Sequence, residues 1–256
     1  MQRTPGQICS LIWHKSVADL MAESARAMLG ILWWVVEPIL YMAVFYFVFS
    51  VGFRSGGNDF VAFLLTGLVA WKWFQSCIGS STMALVGNQG LMSQVYLPKW
   101  SLVAMVVLTN TFKFVFVLVL FFVYLMLSGY RPSLTWFYIV PMLLSLLVLI
   151  CGLASVSAFT ACFIPEVKLV VDNGLMLLFF ISGIFFDISA REAGVRETLL
   201  LNPLAGWIIN FRQVLLHDMP PDFTNLLVVL ACGLVSLVIG LTLLHRFDRL
   251  IAKVSI

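Results

Sequence analysis

The feature that most constrains this chain is a series of six apolar blocks, which together take up more than half of its 256 residues. Hydrophobic residues make up 62% of the sequence and charged residues only 11%, so a soluble domain of this size could not hide the apolar surface from water. A bilayer can accept it, because a transmembrane helix needs about 20 mostly apolar residues. The sequence therefore predicts an all-α inner-membrane protein with six transmembrane helices, over residues 31–53, 60–86, 100–127, 135–163, 171–186 and 225–245.

The fifth block, residues 171–186, is shorter than the others. As a helix it would measure about 24 Å at 1.5 Å per residue, which is less than the hydrocarbon thickness of a typical bilayer. It can cross only if flanking residues join it or if the membrane is thin at that place.

The basic residues are placed unevenly, and this orients the predicted spans. The two short loops predicted outside hold only Arg54 and Arg131, and a longer outside segment, where the rule is weaker, holds Arg191, Arg196 and Arg212. The bias favours six spans with both termini in the cytoplasm. The basic residues then left on the cytoplasmic side are Arg3, Lys15, Arg26, Lys99, Lys168, Arg246, Arg249 and Lys253.

Residues 7–29 have the pattern of an amphipathic helix. Lys15, Asp19, Glu23 and Arg26 form one polar stripe at helical spacing, opposite an apolar face. Such a helix rests in the membrane interface rather than crossing the bilayer. The alternative is a solvated leader helix.

Two segments between the predicted spans are unusual. Residues 86–98 are polar and end at Pro98, which predicts a short cytoplasmic helix that is longer than a bare turn requires and so suits docking to a partner. Residues 187–222 are too polar to span and too apolar for a free loop, with apolar islands at 199–204 and 207–216. Short islands of this kind predict two re-entrant or interfacial helices before the last span. The whole chain, residues 1–256, is predicted to be one membrane domain.

Three polar features inside or beside the spans leave alternatives open. Glu37-Pro38 follows the start of the first block, where it is either a structural kink or a hinge linked to motion. Lys72 and Lys113 lie well inside the second and third blocks, where each is either satisfied structurally or lines a polar path.

The chain lacks the motifs of an enzyme. It has no Gly-Lys dipeptide and hence no Walker A motif, no HExxH and no GxSxG. Its three histidines and five cysteines show no metal-ligand spacing, so no cofactor or metal is predicted in this chain. Carboxylates lie at the edges of spans rather than at their centres, which argues against an ion-driven pump. A passive or externally powered transport subunit fits better.

Three motifs in order carry a resemblance to a known family. Leu-Gly-Ile-Leu-Trp-Trp with Glu-Pro stands at residues 29–38, Tyr-Leu-Pro-Lys at 96–99, and Leu-Asn-Pro-Leu-Ala with Phe-Arg-Gln-Val-Leu-Leu within 201–216. Over essentially the whole chain this resembles the membrane permease of ABC-type polysaccharide exporters, the O-antigen and capsule group, with teichoic acid exporters as relatives. One departure is that Ile164-Pro165-Glu166 stands where the family often carries Arg-Asp.

The resemblance implies a homodimer of six-span subunits in the bacterial inner membrane, paired with two copies of a cytoplasmic ATPase that binds ATP and magnesium. It implies a long glycan on undecaprenyl diphosphate as substrate, with a slight preference for O antigen, and no nucleic-acid partner. It further implies that the N-terminal helix and segment 86–98 meet the ATPase, and the residues of that segment taken as its contact are Asn88, Gln89, Met92 and Gln94.

Two groups of side chains are candidates for handling such a substrate. Aromatic faces attract the polarised C–H groups of sugars and still let a polymer slide, and basic side chains near the cytoplasmic surface attract a diphosphate. The aromatic candidates for a channel are Tyr41, Phe45, Tyr46, Phe49, Phe179, Phe185 and Phe186. The basic candidates for the site where the lipid diphosphate enters are Lys15, Arg26 and Lys99.

Other readings of the sequence come from different classes. One is an ABC permease for a small drug or lipid, and another is a secondary transporter, which would depend on a gradient and bind no ATPase. A membrane-embedded glycan-modifying enzyme is a further alternative, for which the chain shows no acid/base pair.

Overall fold

The structure is a computed structural model that describes residues 5–26, 30–32, 36, 39–40, 43–44, 47, 58–94, 97–248 and 250–251. The predicted first span, residues 31–53, lies almost entirely outside these ranges. The described residues are helical with connecting turns, and none of them forms a β-strand. Their helices are α1 Pro5–Arg26, α2 Asn58–Thr82, α3 Gln89–Gln94, α4 Lys99–Leu127, α5 Ile139–Phe163, α6 Val167–Ile181, α7 Ala193–Leu200, α8 Pro203–Leu216 and α9 Phe223–Arg246.

Four of the described helices are long and apolar enough to cross a membrane, namely α2, α4, α5 with the turn before it, and α9. Their bounds follow the predicted blocks closely. The pair α7 and α8 would count as a fifth span if it were one broken helix, but it is bent by 105°. The chain is thus a multi-pass helical membrane protein, and the count of six spans stays a prediction.

Helix α6 differs from the block predicted at residues 171–186. It begins earlier, at Val167 after the Pro165-Glu166 turn, and ends earlier, at Ile181. It ends there because Gly183 adopts a positive φ of 69°, a conformation that only glycine reaches easily. With 15 residues it is about 22 Å long at 1.5 Å per residue, too short to span a bilayer alone.

Helix α2 forms the centre of the described bundle. It packs against α4, α5, α6 and α8, and large side chains such as Trp71 and Leu64 are only 1% exposed. Helix α9, in contrast, is buried on one side against α5 and leaves Leu227, Val235 and Val238 exposed. An exposed apolar face on a long apolar helix suits contact with lipid.

Glycines let α5 and α9 approach closely. Gly152 of α5 faces Gly233 and Gly240 of α9, and a Cβ atom added at any of the three would come within 3.0 Å of the other helix. Small residues at such contacts allow backbones to meet, which is the usual basis of helix association in membranes.

Helix α1 lies along α4 over residues 105–113. The Ser16 hydroxyl donates a hydrogen bond to the carbonyl oxygen of Met105 at 3.0 Å, and the ring of Trp13 meets that of Phe112 edge-on at 5.2 Å between centroids. A helix was predicted over 7–29, and the observed helix runs from Pro5, a residue favoured in a first turn, to Arg26. Its position relative to a membrane stays a prediction.

The segment between α2 and α4 is helical, as the sequence predicts. A 3₁₀ turn at Val86–Asn88 leads into α3, Gln89–Gln94. Pro98 is the residue immediately before α4, with an extended ψ of 130°, so it begins the next helix rather than closing the short one. A proline there is tolerated because the missing N–H would have no partner in a first turn.

Candidate functional site

An aromatic cavity lies between α2 and α6 and is a candidate site in the described part of the chain. Its volume is about 210 Å³. Because α6 is short and packs on α2 through one face only, aromatic side chains near its C-terminal end stay accessible. The cavity is lined by Trp71, Lys72 and Gln75 of α2 and by Met176, Phe179 and Phe180 of α6.

The rings of this cavity form a connected cluster. Phe179 lies 5.4 Å from Trp71 and 4.9 Å from Phe185 between ring centroids, with the Phe185 ring perpendicular. Phe180 is 52% exposed and lies 6.0 Å from Phe185. The Trp71 indole N–H donates to the Gln75 amide oxygen at 3.1 Å, which orients that amide at the cavity wall. Such a wall offers flat π-faces with a few polar groups, the chemistry that sugar rings need.

The predicted channel aromatics divide into three groups. Phe179 and Phe185 come together at the cavity, as just described. Phe186 points to a different place, where its ring lies under the Arg191 guanidinium at 5.2 Å. The remaining four candidates, Tyr41, Phe45, Tyr46 and Phe49, lie outside the described residues.

The predicted basic residues stand in different surroundings. Lys15 is partly exposed, forms an ion pair with Asp19 one turn on, and borders a groove of about 600 Å³ along α1. Lys99 is the first residue of α4 and is only 3% exposed, so it is not a surface cation. Arg26 ends α1, and its side chain lies outside the described part.

The four residues predicted to contact an ATPase all lie in the helical segment 86–94. Gln89 is exposed, whereas Met92 packs partly against the core. The Asn88 side-chain amide donates to the Ala84 carbonyl at 2.8 Å, so it holds the turn before α3. The side chain of Gln94 lies outside the described part.

Arg212 is the residue that sequence reasoning missed. It lies on α8, is only 4% exposed, and its guanidinium donates to three backbone carbonyls: Phe63 at 3.2 Å, Gly183 at 2.7 Å and Ile184 at 2.9 Å. The group also lies over the Phe63 ring, 3.4 Å from its centroid. The available signal was a lone arginine within the apolar island 207–216, because a charge in such a place needs a specific partner.

No carboxylate of the described residues forms an ion pair with Arg212, and Asp187 acts on it only at longer range. Burial of an ion that lacks a paired charge costs several kcal/mol. Three charge-assisted hydrogen bonds and the aromatic face offset part of that cost. Gly67 of α2 makes the room, since a Cβ there would lie 2.8 Å from the guanidinium nitrogen Nη2.

The bent pair α7 and α8 is tied to the bundle at further points. Asn202 caps α8 by accepting from the Leu204 N–H at 3.0 Å, and its amide donates to the Ser182 hydroxyl at 2.8 Å. The Trp207 indole N–H donates to the Met142 carbonyl of α5 at 2.9 Å. The Leu-Asn-Pro motif thus begins α8, with Pro203 in its first turn.

After α8 the chain is held by Asp218, which accepts hydrogen bonds from the Ser133 hydroxyl and, at 2.7 Å, from the Thr135 hydroxyl. These bonds favour the charged carboxylate and hold the pKa of Asp218 below its usual value. The contact is therefore complete at neutral pH and is lost only when the pH falls through that lowered pKa.

Lys113 is satisfied structurally, which decides one alternative that the sequence left open. Its ammonium forms an ion pair with Glu23 of α1. Lys113 itself lies about 21 Å from the start of α4, at 1.5 Å per residue. The two residues are 90 positions apart in sequence, and their ion pair joins α1 to α4. It therefore fastens the end of α1 onto α4, beside the Ser16 contact.

Reversing one charge of this pair is expected to loosen α1, and reversing both to restore it. Lys113→Glu or Glu23→Lys each places like charges together and should weaken the docking by about 1 kcal/mol, a modest figure because the pair is partly exposed. Chymotrypsin cleavage within α1 in detergent measures the effect, because Glu23→Lys would itself add a trypsin site. Lys168→Glu is the control, because Lys168 pairs within α6 and joins no second helix. Equal cleavage in the single and double variants would contradict this role of the pair.

Comparison with known proteins finds relatives of one kind, the permeases of O-antigen export systems. An O-antigen export system permease protein RfbA of Klebsiella pneumoniae is 23% identical over 255 residues, covering 99% of this chain and 98% of that protein, and a second one from this organism is 22% identical over the same length. This chain resembles O-antigen export permeases from end to end. The permease RfbA of Myxococcus xanthus is 28% identical over 223 residues, or 86% of this chain and 85% of that protein. No protein-family model matches the chain.

The resemblance predicted from three short motifs is thereby confirmed. The motif at 201–216 coincides with the N-terminal cap of α8 and with Arg212, which are contacts that anchor α8. The motif at 96–99 coincides with the start of α4. These motifs therefore mark turns and anchors of the fold.

Proposed function

We propose that this chain is the permease subunit of an ATP-driven exporter that moves a polysaccharide linked to undecaprenyl diphosphate across the inner membrane. The observation that carries the proposal is similarity over 99% of the chain to proteins named O-antigen export system permeases. The described helices supply a membrane domain, and the sequence holds no Walker A motif, so the energy comes from a separate ATPase. O antigen is the favoured substrate, and capsule or teichoic acid is the alternative within this class.

The proposed assembly is a homodimer with two ATPase copies bound on the cytoplasmic side, where both termini lie. The ATPase meets the 86–98 segment through Asn88, Gln89, Met92 and Gln94. This assignment is supported by the exposure of Gln89 and by the helical form of the segment, which gives a rigid contact. Lys15 and Arg26 are proposed to attract the diphosphate as the lipid-linked glycan enters, whereas Lys99 is buried and is left out of this entry site.

The glycan path runs along aromatic side chains at the dimer interface. The cavity between α2 and α6 supports this, because it presents accessible rings to that side of α6 on which Met176, Leu177 and Phe180 are exposed. Weak and repeated contacts with flat rings let a polymer of many sugars slide without a deep trap. Tyr41, Phe45, Tyr46, Phe49 and Phe186 complete the proposed path.

The test of the function is ATP hydrolysis by the purified complex. The permease is co-expressed with a candidate ATPase partner, and hydrolysis is measured with and without lipid-linked glycan extracted from the producing cells. Co-purification and stimulation by glycan would support the exporter. A stable permease that binds no ATPase would contradict it and favour a secondary transporter, whereas stimulation by a small lipid or drug alone would favour a different ABC permease.

Removing a ring from the cavity is expected to slow export without unfolding the protein. Phe179→Ala and Phe185→Ala each delete contacts worth about 0.5–1.5 kcal/mol, so we expect about threefold to tenfold less glycan at the cell surface. Phe137→Ala is the matched control, because that ring is 75% exposed at the other end of the bundle from α3. Unchanged surface glycan in both cavity variants, at normal protein abundance, would remove the aromatic path from the proposal.

A further inference from the structure

The short helix α6 raises a physical problem that Arg212 solves. Backbone carbonyls that lie outside a helix have no helical partners, and away from water they must find partners elsewhere. Helix α6 ends at Ile181, and the turn that follows places the carbonyls of Gly183 and Ile184 in the protein interior, where both residues are buried. The Arg212 guanidinium binds both carbonyls, at 2.7 and 2.9 Å.

The same guanidinium also binds α2. Its Nε–H donates to the Phe63 carbonyl at 3.2 Å and its plane lies over the Phe63 ring. Arg212 therefore joins three elements that are far apart in sequence: α2, the turn after α6, and the re-entrant helix α8. Gly183 is closely packed in this turn, since a Cβ there would lie 2.4 Å from the Ile188 side chain, and its φ of 69° is one that glycine reaches easily.

The turn held by Arg212 leads directly into the aromatic cavity. Ile184 precedes Phe185, whose ring meets Phe179 at 4.9 Å and Phe180 at 6.0 Å. Both of these rings line the cavity, and Trp71 of α2 forms its other wall. A shift of the 183–184 carbonyls relative to α2 must therefore move Phe185 relative to the cavity.

We propose that Arg212 is a positioning residue for the glycan path, which clamps the Gly183-Ile184 turn to α2 and α8 and thereby sets where Phe185 stands against Phe179 and Phe180. The inference rests on the proposed function for its substrate. A buried arginine with no paired carboxylate is an expensive way to fill space, and methionine or leucine would pack there at lower cost. Its planar fork, in contrast, can hold separate carbonyls in fixed directions, which neither an apolar side chain nor a single ammonium can do.

Two substitutions test the contacts of Arg212, one at Arg212 itself and one at the position that faces it. Arg212→Lys keeps the positive charge and loses the fork. Gly67→Ala keeps the arginine but puts a methyl group 2.8 Å from its Nη2 atom and 3.4 Å from the Cα atom of Ile184, so it presses on both partners of the contact. Gly79→Ala is the matched control on the same helix, because its Cβ would meet its nearest neighbours at an ordinary 3.9 Å.

Hydrogen–deuterium exchange measures how firmly the Gly183-Ile184 turn is held, and glycan-stimulated ATP hydrolysis measures the effect on glycan binding. In the complete complex we expect faster exchange over residues 182–188 in Arg212→Lys and Gly67→Ala. We also expect a roughly fivefold to tenfold higher concentration of extracted lipid-linked glycan at half-maximal stimulation, because a displaced Phe185 ring loses contacts with the sugar. Gly79→Ala should match the wild type in both readouts.

The outcomes separate the clamp from the function on which it rests. If the wild-type complex shows no stimulation by glycan, the proposed function fails, and the inference falls with it. If the wild type is stimulated but exchange over 182–188 is unchanged in both variants, only the inference is overturned. It is also overturned if exchange rises while the half-maximal glycan concentration stays the same, because Arg212 would then be a structural residue alone.

Discussion

Replacing Trp207 with alanine is expected to destabilise the protein by about 3–5 kcal/mol, the range typical for loss of a buried large aromatic side chain. The Trp207 side chain is fully buried, stacks near Phe211 with 4.7 Å between ring centroids, and donates its indole N–H to the Met142 carbonyl of α5. Its removal leaves a void at the junction of α8 and α5. Helices α7 and α8 should then detach first, since α8 has no other large side chain that reaches α5 through a hydrogen bond in the described residues.

Two further variants define the cause of that loss. Trp207→Phe keeps most of the ring and loses the hydrogen bond, so we expect a smaller cost of about 1–2 kcal/mol. Trp100→Ala is the control, because Trp100 is 39% exposed at the start of α4 and its loss leaves no internal void. Thermal unfolding in detergent, together with the amount of folded protein in membranes, measures all three. A Trp207→Ala protein as stable as Trp100→Ala would show that α8 is not held through this side chain.

Replacing Gly233 with alanine should separate α9 from α5 by forcing a methyl group into backbone. A Cβ at this position would lie 2.7 Å from the Leu149 nitrogen and 2.9 Å from its Cα, distances that real Cβ atoms essentially never show. Backbone atoms of a helix cannot turn aside as a flexible side chain can. The expected cost is about 1–3 kcal/mol or more, and it arises although alanine favours helix over glycine.

Gly174→Ala on α6 is the matched control for that prediction. It is the same chemical change in another helix, and no neighbouring atom lies within 4 Å of the added Cβ. Because alanine has the higher helix propensity, this variant should be as stable as the wild type or slightly more stable. The thermal midpoint in detergent distinguishes the two glycines. Equal midpoints would mean that α5 and α9 can move apart at no cost, and the close-packed interface would have to be abandoned.

The long apolar helices followed from the sequence because their signal is local. A run of about 20 apolar residues can satisfy its backbone only as a helix when water is absent, whatever its neighbours are. The observed bounds of α2, α4 and α9 accordingly lie within four residues of the predicted blocks. The failure at 171–186 has a local cause of another kind, since the positive φ at Gly183 ends α6 within an apolar run that continues to Phe186.

The candidate site was only partly accessible to sequence reasoning. Phe179 and Phe185 were singled out as aromatic residues on one short block, and the structure brings them together at one cavity. Trp71 of α2, which forms the other wall, was passed over because nothing in the sequence relates α2 to α6. Phe186 is adjacent to Phe185 in sequence and still lies elsewhere, beside Arg191, because the tight turn at Gly183 sends consecutive side chains in different directions.

The sequence by itself determined that this chain is a helical membrane protein, that residues 86–98 carry a short helix, and that the chain resembles polysaccharide export permeases. These properties depend on composition, on local periodicity and on the order of motifs along one chain. Only the tertiary structure decided the partners of its charges: Lys113 meets Glu23 across 90 positions, and Arg212 meets Phe63 across 149. A charge that leaves water needs a partner in space, and which residue supplies that partner depends on how the helices pack.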